Sequence, residues 1–106
     1  MRPERRAHTR FVLELEVRYA TVNRGGPSGH GTTRDLSSTH VSFAADRELP
    51  EGTYLELRIA WPATLESGQQ LNFVVSGPIV RSDGRIAVIQ IRRHEFRTRP
   101  ALSRRT

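Results

Sequence analysis

Apolar residues in this chain recur at every second position, and no stretch of its body carries them at helical spacing. Phe11, Leu13, Leu15, Val17 and Tyr19 alternate with Val12, Glu14, Glu16 and Arg18. Successive side chains of a strand point to opposite faces, so this run predicts one strand with one buried face. Leu55, Leu57, Ile59 and Trp61, set against Tyr54, Glu56 and Arg58, predict another, which Pro62 is expected to end. Leu71, Phe73 and Val75 begin a third; Gly77-Pro78 should bend or bulge it before it resumes through Ile79 and Val80 to Arg81. Ile86 to Ile91 is apolar on both faces, as a central strand would be.

Turn chemistry separates these runs. Asn23 to Gly31 holds four glycines and a proline and reads as a mobile loop. A strand then leads into Asp35, and after His40 the side chains of Val41 and Phe43 can again point inward. Leu49-Pro50-Glu51-Gly52 supplies a turn, and Ser82-Asp83-Gly84-Arg85 a tight hairpin. About six short strands at this spacing predict an all-β fold, a small antiparallel barrel or sandwich. From Arg93 onward the pattern allows a short helical turn over Glu95 to Thr98, with Pro100 preventing a longer one.

At 106 residues the chain suffices for one modest core. Its net charge of +6 is unevenly placed: residues 1 to 10 carry +3, residues 92 to 106 carry +5, and the body between them carries −2. A non-specific duplex binder needs cations along a folded face, so nucleic acid is not the expected partner. Exposed aromatics are too few for a single-strand stacking surface. No apolar run is long enough to span a membrane, the arginine-rich start lacks the apolar core of a signal peptide, and cysteine is absent; a cytoplasmic protein is expected.

Two polar segments carry the candidate chemistry. Arg6 and Arg10, four residues apart just before the first strand, could present two guanidinium forks to a small polyanion, each able to grip a phosphate or the O6/N7 edge of a guanine. Asp35-Leu36-Ser37-Ser38-Thr39-His40 adds a carboxylate and a hydroxyl at a turn; such groups accept from guanine N1 and N2, and they equally form turns with their own backbone. Asp35, Ser37 and His40 include the residue types of a hydrolytic triad, but on adjacent positions they do not converge on a substrate, and no enzyme is expected. His30 and His40 have no partner at metal-ligand spacing, so no metal site is expected either.

Arg5-Arg6-Ala7-His8-Thr9-Arg10-Phe11 is similar to the N-terminal arm of PilZ domains, with the paired arginines falling on Arg6 and Arg10. Asp35-Leu36-Ser37-Ser38-Thr39-His40-Val41-Ser42-Phe43 resembles their strand signature of Asp or Asn, any residue, Ser, two further residues and Gly. It departs at the last position, where His40 stands in place of glycine. Leu49-Pro50-Glu51-Gly52, Gly77-Pro78-Ile79-Val80-Arg81 and the apolar run Ile86 to Ile91 extend the resemblance over about residues 5 to 93. It implies a six-stranded antiparallel barrel over 11–93, between a flexible basic arm (1–10) and a basic tail (94–106).

The implied ligand is the bacterial second messenger cyclic di-GMP, often bound as a stacked pair, with no other cofactor. Arg6 and Arg10 would contact phosphates and guanine edges, Asp35 and Ser37 would hold a guanine, and His40 would lie beside it. If glycine serves close approach at that position, an imidazole obstructs the base; if it serves only a positive φ, histidine is a tolerant replacement whose ring can stack. The expected function is a signalling receptor that orders its arm on the nucleotide and presents the covered face to a downstream protein partner. The alternative is an interaction scaffold of the same fold that has lost the nucleotide.

Overall fold

The alternating runs become eight strands: β1 (Phe11–Val12), β2 (Glu16–Thr21), β3 (Ser28–Leu36), β4 (His40–Ala45), β5 (Tyr54–Thr64), β6 (Gln70–Asp83), β7 (Ile86–Gln90) and β8 (Arg93–Thr98). This computed structural model describes residues 10–23 and 25–99; the arm through Thr9, with Arg6 and His8, and the tail from Pro100 lie outside the described residues. All strand pairings are antiparallel. The order β3-β2-β5-β6-β7-β4 closes on itself through β3–β4 into a six-stranded barrel, with β1 added beside β3 and β8 beside β6. No described helix is long and apolar enough to cross a membrane.

Alternate residues of the six strands fill the barrel. Val17 and Tyr19 from β2, Val41 and Phe43 from β4, Leu55, Leu57 and Ile59 from β5, Val75 and Ile79 from β6, and Ala87 and Ile89 from β7 are all buried in one core. Burial of each large aliphatic side chain contributes about 1.5 to 3 kcal/mol.

The N-terminal run is two strands rather than one. Pairing stops at Leu13 and resumes at Glu16, and the register against β3 slips by one residue across the gap, from Val12↔Asp35 to Glu16↔Thr32. Phe11, expected in the core, is 58% exposed, while Leu13 and Leu15 still pack against the core. The break is built around Thr33, whose side chain is fully buried. Its hydroxyl donates to the Leu13 carbonyl at 2.5 Å and accepts from the Leu15 amide at 2.8 Å, so the interrupted ladder leaves neither group orphaned.

Three further expectations are corrected. β3 starts inside the glycine-rich stretch that reads as a loop, because Gly31 lies so close to β4 that a Cβ there would meet the Ala44 carbonyl oxygen at 2.1 Å. Pro62 interrupts β5 without ending it: regular pairing stops at Trp61↔Leu71 and resumes at Thr64↔Gln70, the bulged setting in which a strand tolerates proline. Residues 95–98 are strand, not helical turn. The 14-residue β6 outruns β7, which leaves its segment Leu71–Ser76 to pair with β8, and Phe96 then packs on Phe73 with ring centroids 4.7 Å apart.

The expected bend at Gly77-Pro78 is where β6 passes from β8 to β7 as its partner on that side. A Cβ on Gly77 would lie 1.7 Å from the Gln90 carbonyl oxygen, so glycine is required at this crossing.

Candidate functional site

Two register slips aim polar side chains out of the barrel beside the β3–β4 turn. In β3 the inward positions run through Gly31 and Thr33, and continued alternation would carry Asp35 into the core. A bulge between Thr33 and Asp35 prevents this: Leu36 turns inward and Asp35 outward. A second bulge, between Ile79 and Arg81 in β6, leaves Ile79 buried and sends Val80 and Arg81 to the outer face.

These side chains line one groove of about 660 Å³, together with Arg10, Arg34, Ser37, Thr39, His40 and Asp83; Ser42, Ile86 and Val88 complete its wall. Four of the five residues expected from sequence, Arg10, Asp35, Ser37 and His40, therefore meet in one place. Arg6 lies outside the described residues.

Arg10 immediately precedes β1, and its Nη2 reaches Asp35 Oδ2 at 3.1 Å. The guanidinium side chain is 70% exposed and the carboxylate 24%, so the pair is weak, about 0 to 1 kcal/mol, and readily exchanged for other partners. The chain around it is better fixed: Val12 pairs with Asp35, and the Leu13 amide donates to the Arg34 carbonyl at 3.2 Å.

Ser37 to His40 forms a closed turn. Ser37 Oγ accepts the amides of Thr39 (3.2 Å) and His40 (3.1 Å), and the Ser37 amide donates to the His40 carbonyl at 2.9 Å. The serine is thus first a turn former, and its Oγ also lies 3.3 Å from Thr39 Oγ1, within hydrogen-bond reach. His40 Nδ1 lies 2.9 Å from Thr39 Oγ1, which seats the ring on the turn. His40 opens β4 opposite Gln90, and none of the described non-glycine residues has positive φ. The glycine-for-conformation requirement therefore does not exist at position 40 in this fold.

Motif reading missed Arg34, Arg81, Asp83 and the apolar wall. The first three are brought in by bulges and strand register, which leave no local trace. Ile86 and Val88 did leave one: β7 reads as apolar on both faces, and its second face is this wall.

A different polar cluster closes the other end of β4. The Tyr19 hydroxyl, at the tip of its buried ring, donates to Asp46 Oδ1, and the His30 amide donates to Asp46 Oδ2 at 3.4 Å. Burial first, then this bond, pushes the Tyr19 phenol up to about 12, and the bond from Tyr19 holds the Asp46 carboxyl below its ordinary value. Tyr19 and Asp46 join β2 to the end of β4 and take no part in the groove.

In comparison with known proteins, no family model matches the chain and no curated protein matches it.

Proposed function

We propose that the chain is a receptor for cyclic di-GMP, bound in the groove between Arg10 and the Ser37–His40 turn. The observation that carries this reading is the convergence of Arg10, Asp35, Ser37 and His40, separated by up to 30 positions in sequence, on one groove of ligand size. The composition of the groove suits a nucleotide that is anionic in its backbone and hydrogen-bonding in its bases. Arg10, Arg34 and Arg81 offer planar cationic forks for phosphate or for guanine O6/N7, and Asp35 offers a carboxylate for guanine N1–H and N2–H. Ile86 and Val88 give an apolar surface for a base, and the His40 ring a stacking face.

Without ligand, Arg10 and Asp35 satisfy each other. The nucleotide replaces that pair: its phosphate takes the guanidinium and its guanine takes the carboxylate, at a cost no larger than a weak exposed ion pair. The groove face covered by the nucleotide then becomes a new surface for a downstream protein.

Titration calorimetry with cyclic di-GMP is the test. Saturable heat from the wild-type chain, abolished in Arg10→Ala and in Asp35→Ala, is the expected result. No heat and no thermal stabilisation at high ligand would overturn the reading and leave a barrel that serves as an interaction scaffold.

A further inference from the structure

We propose that β8 is a dimerisation edge, at which a second copy of this chain pairs antiparallel with Phe96 opposite its own equivalent. One side of β8 is paired to β6; no described strand pairs with the other. The Arg99 amide donates in register to the Gln70 carbonyl at 2.7 Å, which fixes the parity of the ladder. Arg93, Glu95 and Arg97 aim their backbone groups at β6, and His94, Phe96 and Thr98 aim theirs outward. An open row of amides and carbonyls on a regular strand is a template for another strand.

Charge and the Phe96 ring together select the occupant and the register. Outward-facing residues must pair with outward-facing residues, so His94, Phe96 and Thr98 can meet a second β8 only in registers two residues apart. Pairing His94 with Phe96 sets Glu95 against Glu95 and Arg93 against Arg97. Pairing Phe96 with Thr98 sets Arg97 against Arg97, and Glu95 against an Arg99 whose guanidinium is already held within its own chain. Pairing Thr98 with Thr98 sets Arg97 against Arg99. Pairing His94 with His94 sets Arg93 against Glu95 twice, but it places Phe96 opposite Arg92, beyond the end of the strand, and leaves the ring without an aromatic partner. Pairing Phe96 with Phe96 sets Glu95 of each copy directly across from Arg97 of the other, so that opposite charges face twice, each in a non-hydrogen-bonded pair, where side chains come closest. In this register Arg99 falls opposite Arg93 at the ends, but its guanidinium is already held by Gln70 Oε1, Asn72 Oδ1 and the Leu71 carbonyl.

The other face of the same register is aromatic. Phe96 is 53% exposed, stacks edge-on to Trp61 at 5.5 Å and packs on Phe73. The two Phe96 rings of a pair would cover one another and join two three-ring clusters into one. A single β8 leaves about half of that residue exposed to water.

Sedimentation equilibrium of the full chain over about 10 μM to 1 mM is the first measurement. A species of twice the 12.0 kDa chain mass is expected; the mass of one chain across the whole range overturns the proposal. Glu95→Arg and Arg97→Glu, at side chains 55% and 49% exposed, should each weaken self-association by about tenfold or more, since each places like charges across the pair twice. Mixed in equal amounts, the two variants should form a heterodimer of near wild-type affinity. One chain then carries arginine at both positions and the other glutamate at both, so opposite charges again face twice. Recovery on mixing cannot come from contacts within one chain, where both variants carry a like-charged pair. Variants that self-associate as tightly as wild type, or a mixture that stays monomeric, place the interface elsewhere.

Discussion

The imidazole of His40 is seated by Thr39 Oγ1 on a backbone of ordinary φ, so exchanging it for glycine relieves no strain. What the exchange removes is a ring from the wall of a groove that measures about 660 Å³ with the ring in place. Base stacking on a side-chain ring is worth about 1 to 3 kcal/mol. If the groove takes cyclic di-GMP as proposed, His40→Gly should weaken that binding by about tenfold, and His40→Phe, which keeps a ring, should largely preserve it. The two affinities, measured by calorimetry beside the wild type, decide the matter. A gain in affinity on going to glycine would identify the ring as an obstruction to the base.

Among the elements, the gap between β1 and β2 does most to shape the groove, since it sets where Arg10 stands relative to Asp35. Thr33→Val keeps volume and burial but leaves the Leu13 carbonyl and the Leu15 amide without their partner. The expected loss is about 1 to 3 kcal/mol in denaturant unfolding, with nucleotide affinity falling as β1 loosens; Thr33→Ser should restore both. If Thr33→Val unfolds at the wild-type midpoint, the hydroxyl does not hold the gap. Alternation marks where the strands are, because it is a property of each run alone. The gap, the Arg34 bulge and β8 depend on other strands: a threonine hydroxyl from β3 bridges the first, Leu36 competing for the core drives the second, and the unpaired length of β6 recruits the third. The site divides in the same way. Arg10, Asp35, Ser37 and His40 sit in contiguous segments whose chemistry is readable, whereas Arg34, Arg81 and Asp83 join them only through register.

For the whole molecule, closure of the barrel rests on β3 and β4, and β4 is secured at both ends, by the Ser37–His40 turn and by the Tyr19–Asp46 bond. The second clasp makes global stability depend on pH in a defined direction. In the folded chain the Tyr19 phenol keeps its proton to about 12, while in the unfolded chain it releases it at the ordinary value of 10.0. Between these values the unfolded state binds fewer protons than the folded one, so stability falls as pH rises. The contribution is complete below pH 10 and is lost as pH passes through about 12. Asp46 acts at the acid end: its folded-state value is lowered, so its contribution is complete above the ordinary carboxylate range and is lost as pH falls through the lowered value. Denaturant midpoints measured along the pH scale should therefore be level near neutrality and descend at the alkaline end. Tyr19→Phe should start lower at neutral pH and lose the part of the alkaline descent that Tyr19 causes. Asp46→Asn removes the neighbouring charge and leaves burial as the main cause of the raised value. The phenolate absorbance of Tyr19 should then rise at a lower pH than in the wild type. A Tyr19→Phe chain with the full alkaline descent would show that this clasp does not control barrel closure.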